Sequence, residues 1–194
     1  MTDRIECFWM TPTERARQTL RRYEKHEKHD EASWTCRENR MRFHDTDVRI
    51  EDCDYPFGNE GLLGYGRDDV PHDDPRWPTA CHVCGYVFRE EDHWQHNVQR
   101  LFSGAPDGNL YTTRDMPPGA MFDGTWWPRK GPDGIVLMVA LPPDGGDDLW
   151  MVDGTASNGP GWTREGKPPK VTARPSILTP RYHGWLTDGF LVRC

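Results

Sequence analysis

Apolar residues are scarce in this chain: 35% of its 194 residues are hydrophobic, against roughly 45–50% in ordinary globular proteins. The shortfall predicts a thin core. Long hydrophobic runs are missing too. No window approaches the ~18 consecutive apolar residues of a membrane span, and the opening Met1-Thr-Asp-Arg-Ile-Glu-Cys7 lacks the apolar stretch of an export signal. A soluble chain with no membrane partner is expected, in a reducing compartment. Nor is there an excess of positive charge. Twenty-four basic against 31 acidic side chains give a formal charge of −7, which argues against a protein that coats nucleic acid by bulk electrostatics.

Catalytic signatures are wanting as well. The chain has no His-Glu-x-x-His, no Gly-x-x-x-x-Gly-Lys-Ser/Thr and no Gly-x-Ser-x-Gly. The deaminase pairing of His-x-Glu with Pro-Cys-x-x-Cys is also absent.

What is present is turn chemistry and aromatic rings. Nineteen Gly and seventeen Pro are too many for a mostly helical protein and suggest short strands joined by turns. Nine Trp speak against disorder, because disordered segments are poor in aromatics. Charge is unevenly placed. Residues 14–30 hold six Lys/Arg and four Asp/Glu, whereas residues 45–74 hold two Arg and ten acids.

Thr11-Pro-Thr-Glu14 has the form of a capping box with proline at the first helical position. A helix is therefore predicted over residues 11–29, with Ala16, Leu20 and Tyr23 as its apolar stripe and a basic, solvated remainder. A second helix is predicted over 89–102, burying Trp94, Val98, Leu101 and Phe102 and ending at Gly104. Ahead of the first helix, residues 5–10 read as a strand. Met41, Phe43, Val48 and Ile50 alternate around His44-Asp-Thr-Asp47 and read as a hairpin. Residues 55–78 read as loop. From Leu110 onward, strands are predicted at 110–113, 135–141, 149–152, 171–173, 182–186 and 190–193, with 135–141 as the central one. The fold class expected is α+β. A zinc-knuckle region over 1–104 is followed by a β-rich region over 105–194, and the two can form one continuous domain.

The strongest local signal is Cys81-His-Val-Cys-Gly-Tyr-Val-Phe88. Two thiols two residues apart can converge on one tetrahedral ion, and a glycine after the second relieves crowding where the backbone turns. Metal is preferred to redox chemistry because no parallel βαβ pattern surrounds the pair. A structural zinc needs four ligands. The preferred set is Cys36, Cys53, Cys81 and Cys84. The alternative draws His93 and His96 from the segment after the knuckle, but their spacing is shorter than in the usual zinc finger. His44 and His82 are further substitutes, while Cys7 and Cys194 have no spacing partner.

Glu90, Glu91 and Asp92 read as acids of the first helical turn. Asp153, Ser157, His183 and Asp188 could form a triad-like set, although Asp153 and Ser157 are better read as turn formers. No catalytic residue is assigned.

A further group of motifs completes the reading: Phe8-Trp-Met-Thr-Pro-Thr13, Leu20-Arg-Arg-Tyr23, His72-Asp-Asp-Pro-Arg-Trp-Pro78, the knuckle itself, Met116-Pro-Pro-Gly-Ala-Met121, Pro175-Ser-Ile177 and Tyr182-His-Gly-Trp-Leu186. In these the chain resembles an uncharacterised family of bacteriophage and prophage proteins, many of them actinobacterial. The resemblance covers most of the chain and implies a phage origin, but it brings no established activity and no catalytic residue. The chain is shorter than those relatives between Asn158 and Trp162, where they often carry a Cys-containing loop. The expectation is a zinc-stabilised accessory protein of the host cytoplasm or the virion, engaging protein or nucleic acid. Two alternatives stand beside it. One is a small metal-dependent hydrolase using Asp153 and His183. The other is an acidic mimic of DNA built on residues 45–74, occupying a host nucleic-acid enzyme.

Overall fold

Strands make up all the regular structure in the computed structural model, which describes residues 4–25, 44–55, 57, 65–66, 70–125, 130–154 and 163–194. The first six are β1 (Arg4–Glu6), β2 (Phe8–Trp9), β3 (Thr11–Tyr23), β4 (Asp45–Asp54), β5 (Tyr65–Gly66) and β6 (His93–Ser103). Then follow β7 (Ala120–Asp123), β8 (Leu137–Leu141), β9 (Gly145–Met151) and β10 (Thr163–Lys167). The last are β11 (Lys170–Arg174), β12 (Ile177–Leu178), β13 (His183–Thr187) and β14 (Phe190–Arg193). They form four sheets, ordered β1-β14-β13-β12, β10-β11, β2-β7-β8-β9 and β4-β3-β6-β5. All pairs are antiparallel except β2 with β7.

The α+β expectation is thus corrected to all-β. The segment read as a first helix is β3 as far as Tyr23, and the segment read as a second is β6 from His93. The cause lies in the spacing. Residues four apart share a face in a helix, but they also share a face in a strand. Ala16 and Leu20 are buried together with Arg22, while Trp94, Val98 and Phe102 are likewise all even-numbered. Tyr23, the third member of the supposed stripe, points to the opposite face. Pairing of β3 with both β4 and β6 overrides the helix preference of its Arg, Gln and Leu residues.

The expected hairpin around residues 44–47 is also absent. Asp45–Asp54 is one unbroken strand, and residues 41–43 lie outside the described part. The expected strand at 110–113 is reduced to a single bridge between Phe102 and Tyr111.

Two apolar clusters occupy the remaining sheets. The larger gathers Leu137, Val139, Leu141, Val171, Ile177, Leu186 and Leu191, among others, from strands β7, β8 and β11–β14. The smaller gathers Met10, Phe102, Met116, Phe122 and their neighbours. The run around residues 135–141 supplies β8, an inner strand between β7 and β9, and all but one of its side chains are buried. Gly184, in Tyr182-His-Gly-Trp-Leu186, is required by close approach: a Cβ there would lie 2.3 Å from the Val192 carbonyl oxygen and 2.4 Å from the Tyr182 hydroxyl. Strands β1 and β2 pair with β14 and β7, so residues 4–9 are built into the sheets of the second half.

The β4-β3-β6-β5 sheet is different in kind. Arg15 meets Asp52 and Asp54 at 2.7 Å each, Arg17 meets Glu51 at 2.5 Å, and Arg21 pairs with Asp45. Parts of the basic and acidic runs, β3 and β4, are therefore adjacent antiparallel strands with ion pairs between them.

Candidate metal centre

The knuckle is a tight turn at one end of this sheet. Ala80 and Val87 bridge its base, the Cys81 amide donates to the Tyr86 carbonyl at 2.8 Å, and the Gly85 amide donates to the Cys81 carbonyl at 2.9 Å. Gly85 has φ +76, a left-handed conformation that other residues adopt only at a cost. Space is not the constraint, since no atom lies within 4 Å of where its Cβ would stand.

Against this turn, the junction between β3 and β4 presents His44. The Glu24 amide donates to the His44 carbonyl at 2.9 Å, which fixes the residue just before β4 begins. The imidazole stacks on Tyr86, with ring centroids 4.1 Å apart and an interplanar angle of 8°. Its Nδ1 lies 3.0 Å from the Cys84 sulfur. The ligand atoms of His44, Cys81 and Cys84 all lie within 4.8 Å of one another. Around a tetrahedral zinc, with Zn–S about 2.3 Å and Zn–N about 2.0 Å, neighbouring donors are roughly 3.5–3.8 Å apart. The three groups therefore need only small adjustments to hold an ion such as zinc.

The surroundings suit thiolate. Burial opposes ionisation of Cys81, but the amides of Cys84 and Val83, the Cys84 thiol and the Thr46 hydroxyl outweigh it and bring the pKa from 9.0 down to about 7. On the far side of the imidazole, Nε2 faces the Glu24 carboxylate at 3.8 Å, and Glu24 Oε2 is buried with no hydrogen-bond partner. A carboxylate behind a ligating histidine selects the tautomer whose Nδ1 lone pair faces the metal.

Asp92 locks the base of the site. It is buried, and it accepts from the Arg89 amide at 2.8 Å, the Lys25 amide at 3.1 Å and the Tyr86 hydroxyl at 3.3 Å. Its role is thus to join the end of β3 to the knuckle, in place of the helix-dipole role expected of it. Arg22, read as part of a solvated basic face, is also buried. Its guanidinium lies 3.5 Å from the Trp94 ring centroid and donates to the Arg89 carbonyl.

Of the four thiolates chosen from sequence, the structure brings together Cys81 and Cys84. Cys53 sits on β4 opposite Ala16, where its thiol donates to the Ala16 carbonyl at 3.2 Å, and it is not a member of the cluster. Cys36 lies outside the described residues. His44, named only as a substitute, takes the third position. His93 stacks on Tyr23 at 4.6 Å, and His96 bonds Gln18 at 3.1 Å. His82, inside the knuckle, bonds the Thr46 hydroxyl at 3.0 Å. Glu24 and Asp92 were not anticipated as parts of the site, and no local spacing marks either one.

Of the triad-like set, Asp153, His183 and Asp188 are among the described residues. Asp153 accepts from the Leu137 amide at 2.9 Å and from Arg164 at 2.7 Å. His183 is exposed on β13, Asp188 holds a turn with φ 46, and Ser157 lies outside the described residues. Among the described residues no helix is long and apolar enough to cross a membrane. Comparisons with protein-family models, curated proteins and solved structures find no match to this chain.

Proposed function

We propose that this chain is a zinc-stabilised accessory protein of phage origin that binds a partner, with no reaction identified for it. The observation that carries the reading is the convergence of His44, Cys81 and Cys84, with Glu24 behind the imidazole. Thiolate and imidazole are zinc donors, and the described residues bring together three of the four that a structural site needs. The site also lies where apolar packing is thinnest: the cluster at the knuckle has two buried residues, Cys81 and Phe88. Metal binding supplies folding free energy there. The phage assignment rests on the motif resemblance, and the partner, protein or nucleic acid, is met in the host cytoplasm or on the particle.

The hydrolase alternative loses support because Asp153 is committed to Arg164 and to the Leu137 amide. The acidic-mimic alternative weakens because the acids of β4 are matched by arginines of β3.

Elemental analysis of the purified protein, combined with thermal melting in chelator, tests the reading. One zinc per chain and a lowered melting temperature are expected. Metal-free protein with unchanged melting would refute it. Proteomics of purified particles separates a virion component from a protein of the infected cytoplasm.

A further inference from the structure

One face of the β4-β3-β6-β5 sheet packs Leu20 and Val98 inward, while the middle of the other face is polar. In register, Arg17, Thr19 and Arg21 of β3 share the polar face with Gln95, Asn97 and Gln99 of β6. Asp47 and Arg49 of β4 extend it on the other flank. The segment after β6, with Thr112, Arg114 and Asp115, and His82 of the knuckle flank this face and form a half-open cavity of about 650 Å3. That volume falls within the roughly 300–1,000 Å3 of small-molecule sites. Such sites are usually lined by apolar groups, whereas every described residue lining this one is polar or charged.

Three of the four arginines lining the cavity are paired with its three aspartates. Arg17 lies 2.5 Å from Asp115, Arg21 pairs with Asp45, and Arg49 lies 3.3 Å from Asp47. A phosphate accepts hydrogen bonds and carries negative charge, so it would have to displace these carboxylates or sit beside them. A neutral hydroxyl both donates and accepts, and it can bond a guanidinium, a carboxylate or a carboxamide without disturbing the pairs. The three carboxamides of β6 recur at every second residue, about 6.8 Å apart along the strand, and offer donors and acceptors in a row.

We propose that this cavity binds a neutral, hydroxyl-rich ligand, a short oligosaccharide laid along β6. The site stands on its own residues and does not depend on the metal reading. Titration of the full-length protein with maltotriose, cellotriose and tri-N-acetylchitotriose, followed by calorimetry and by NMR of side-chain amides, tests it, with pyrophosphate and oligothymidylate in parallel. At least one trisaccharide should bind below about 10 mM and shift the amide signals of Gln95, Asn97 and Gln99. Asn97→Ala should weaken that binding about tenfold, the loss of one or two hydrogen bonds, with an unchanged melting temperature. Gln95→Ala serves as the second variant should Asn97→Ala not fold. The proposal is overturned if no trisaccharide binds, if the shifts fall elsewhere, or if pyrophosphate or oligothymidylate takes the cavity in preference.

Discussion

The sheets holding β8 and β11–β14 and the sheet holding β3, β4 and β6 are built from the same kinds of strand, yet they are stabilised differently. In the former, a cluster of twelve buried residues spans several strands. In the latter, β3 and β6 bury Ala16, Leu20, Val98, Leu101 and Phe102, the knuckle adds Cys81 and Phe88, and the β3–β4 contact is lined with ion pairs. Exposed ion pairs are worth about 0–1 kcal/mol each. They set which strand lies beside which, and at what register, more than they hold the sheet together. A chain short of apolar residues has thus built its larger cluster in one region and supplemented a smaller buried set in the other with charge matching and a cluster of metal donors.

The contrast can be broken most severely at Arg164. This side chain is 2% exposed and lies between Asp153 at 2.7 Å and Asp133 at 2.5 Å. Arg164→Ala strands the buried Asp153 carboxylate and should cost about 3–5 kcal/mol in denaturant unfolding. A loss under about 1 kcal/mol would mean that the pair behaves like a surface pair.

Next in size is Leu186→Ala, which removes a fully buried side chain from the larger cluster. It should cost about 2–5 kcal/mol. Chelation should act on the other region. Amide hydrogen exchange ought to accelerate at residues 80–88 in chelator while β13 and β14 stay protected, as expected of separately opening units. Equal loss of protection in both would erase the distinction.

Glu24→Gln tests the carboxylate behind His44. Removing such a partner typically lowers metal affinity about 10–100-fold, measurable by competition with a chromophoric chelator. Unchanged affinity would assign Glu24 no part in the site.

A smaller effect should follow pH. The Arg164 hydrogen bond holds the Asp133 carboxyl below its ordinary range despite opposing burial. Its contribution is therefore present above the unfolded pKa of about 3.9 and is lost as pH falls through the lower folded value. Asp133→Asn should flatten the acid limb of the stability profile by about 1 kcal/mol at most. Smallest of all, Cys53→Ser should leave metal stoichiometry unchanged, since that thiol is bonded to the Ala16 carbonyl.

Legibility in the sequence followed how local each signal is. The last strand was read at its exact bounds, and β13 was placed within a residue, because buried and exposed positions alternate strictly along it and a Gly turn closes it. The Cys81/Cys84 pair was legible for the same reason, since a four-residue turn carries its own signature. Strands β3 and β6 were not legible. Their apolar residues are so few that Ala16 with Leu20, and Trp94 with Val98 and Phe102, fit both periods; the burial of Arg22 and the opposite facing of Tyr23 separate them. His44 is a substitute in the sequence reading because it lies 37 positions before Cys81, and tertiary contacts, such as Thr46 with His82, bring it near. The two charge runs were visible, but the ion pairs between them are a fact of strand adjacency. Glu24 and Asp92 act through backbone amides and an imidazole that no spacing rule connects to them.

Cobalt titration tests the central claim most directly. Tetrahedral cobalt bound by two thiolates and an imidazole absorbs strongly in the visible and near-ultraviolet. The metal centre described here predicts saturation at one ion per chain, with the spectrum abolished in Cys81→Ser and Cys84→Ser, altered in His44→Ala and intact in Cys53→Ser. No cobalt uptake by the reduced protein, or an identical spectrum in the Cys81→Ser and Cys84→Ser variants, would contradict it.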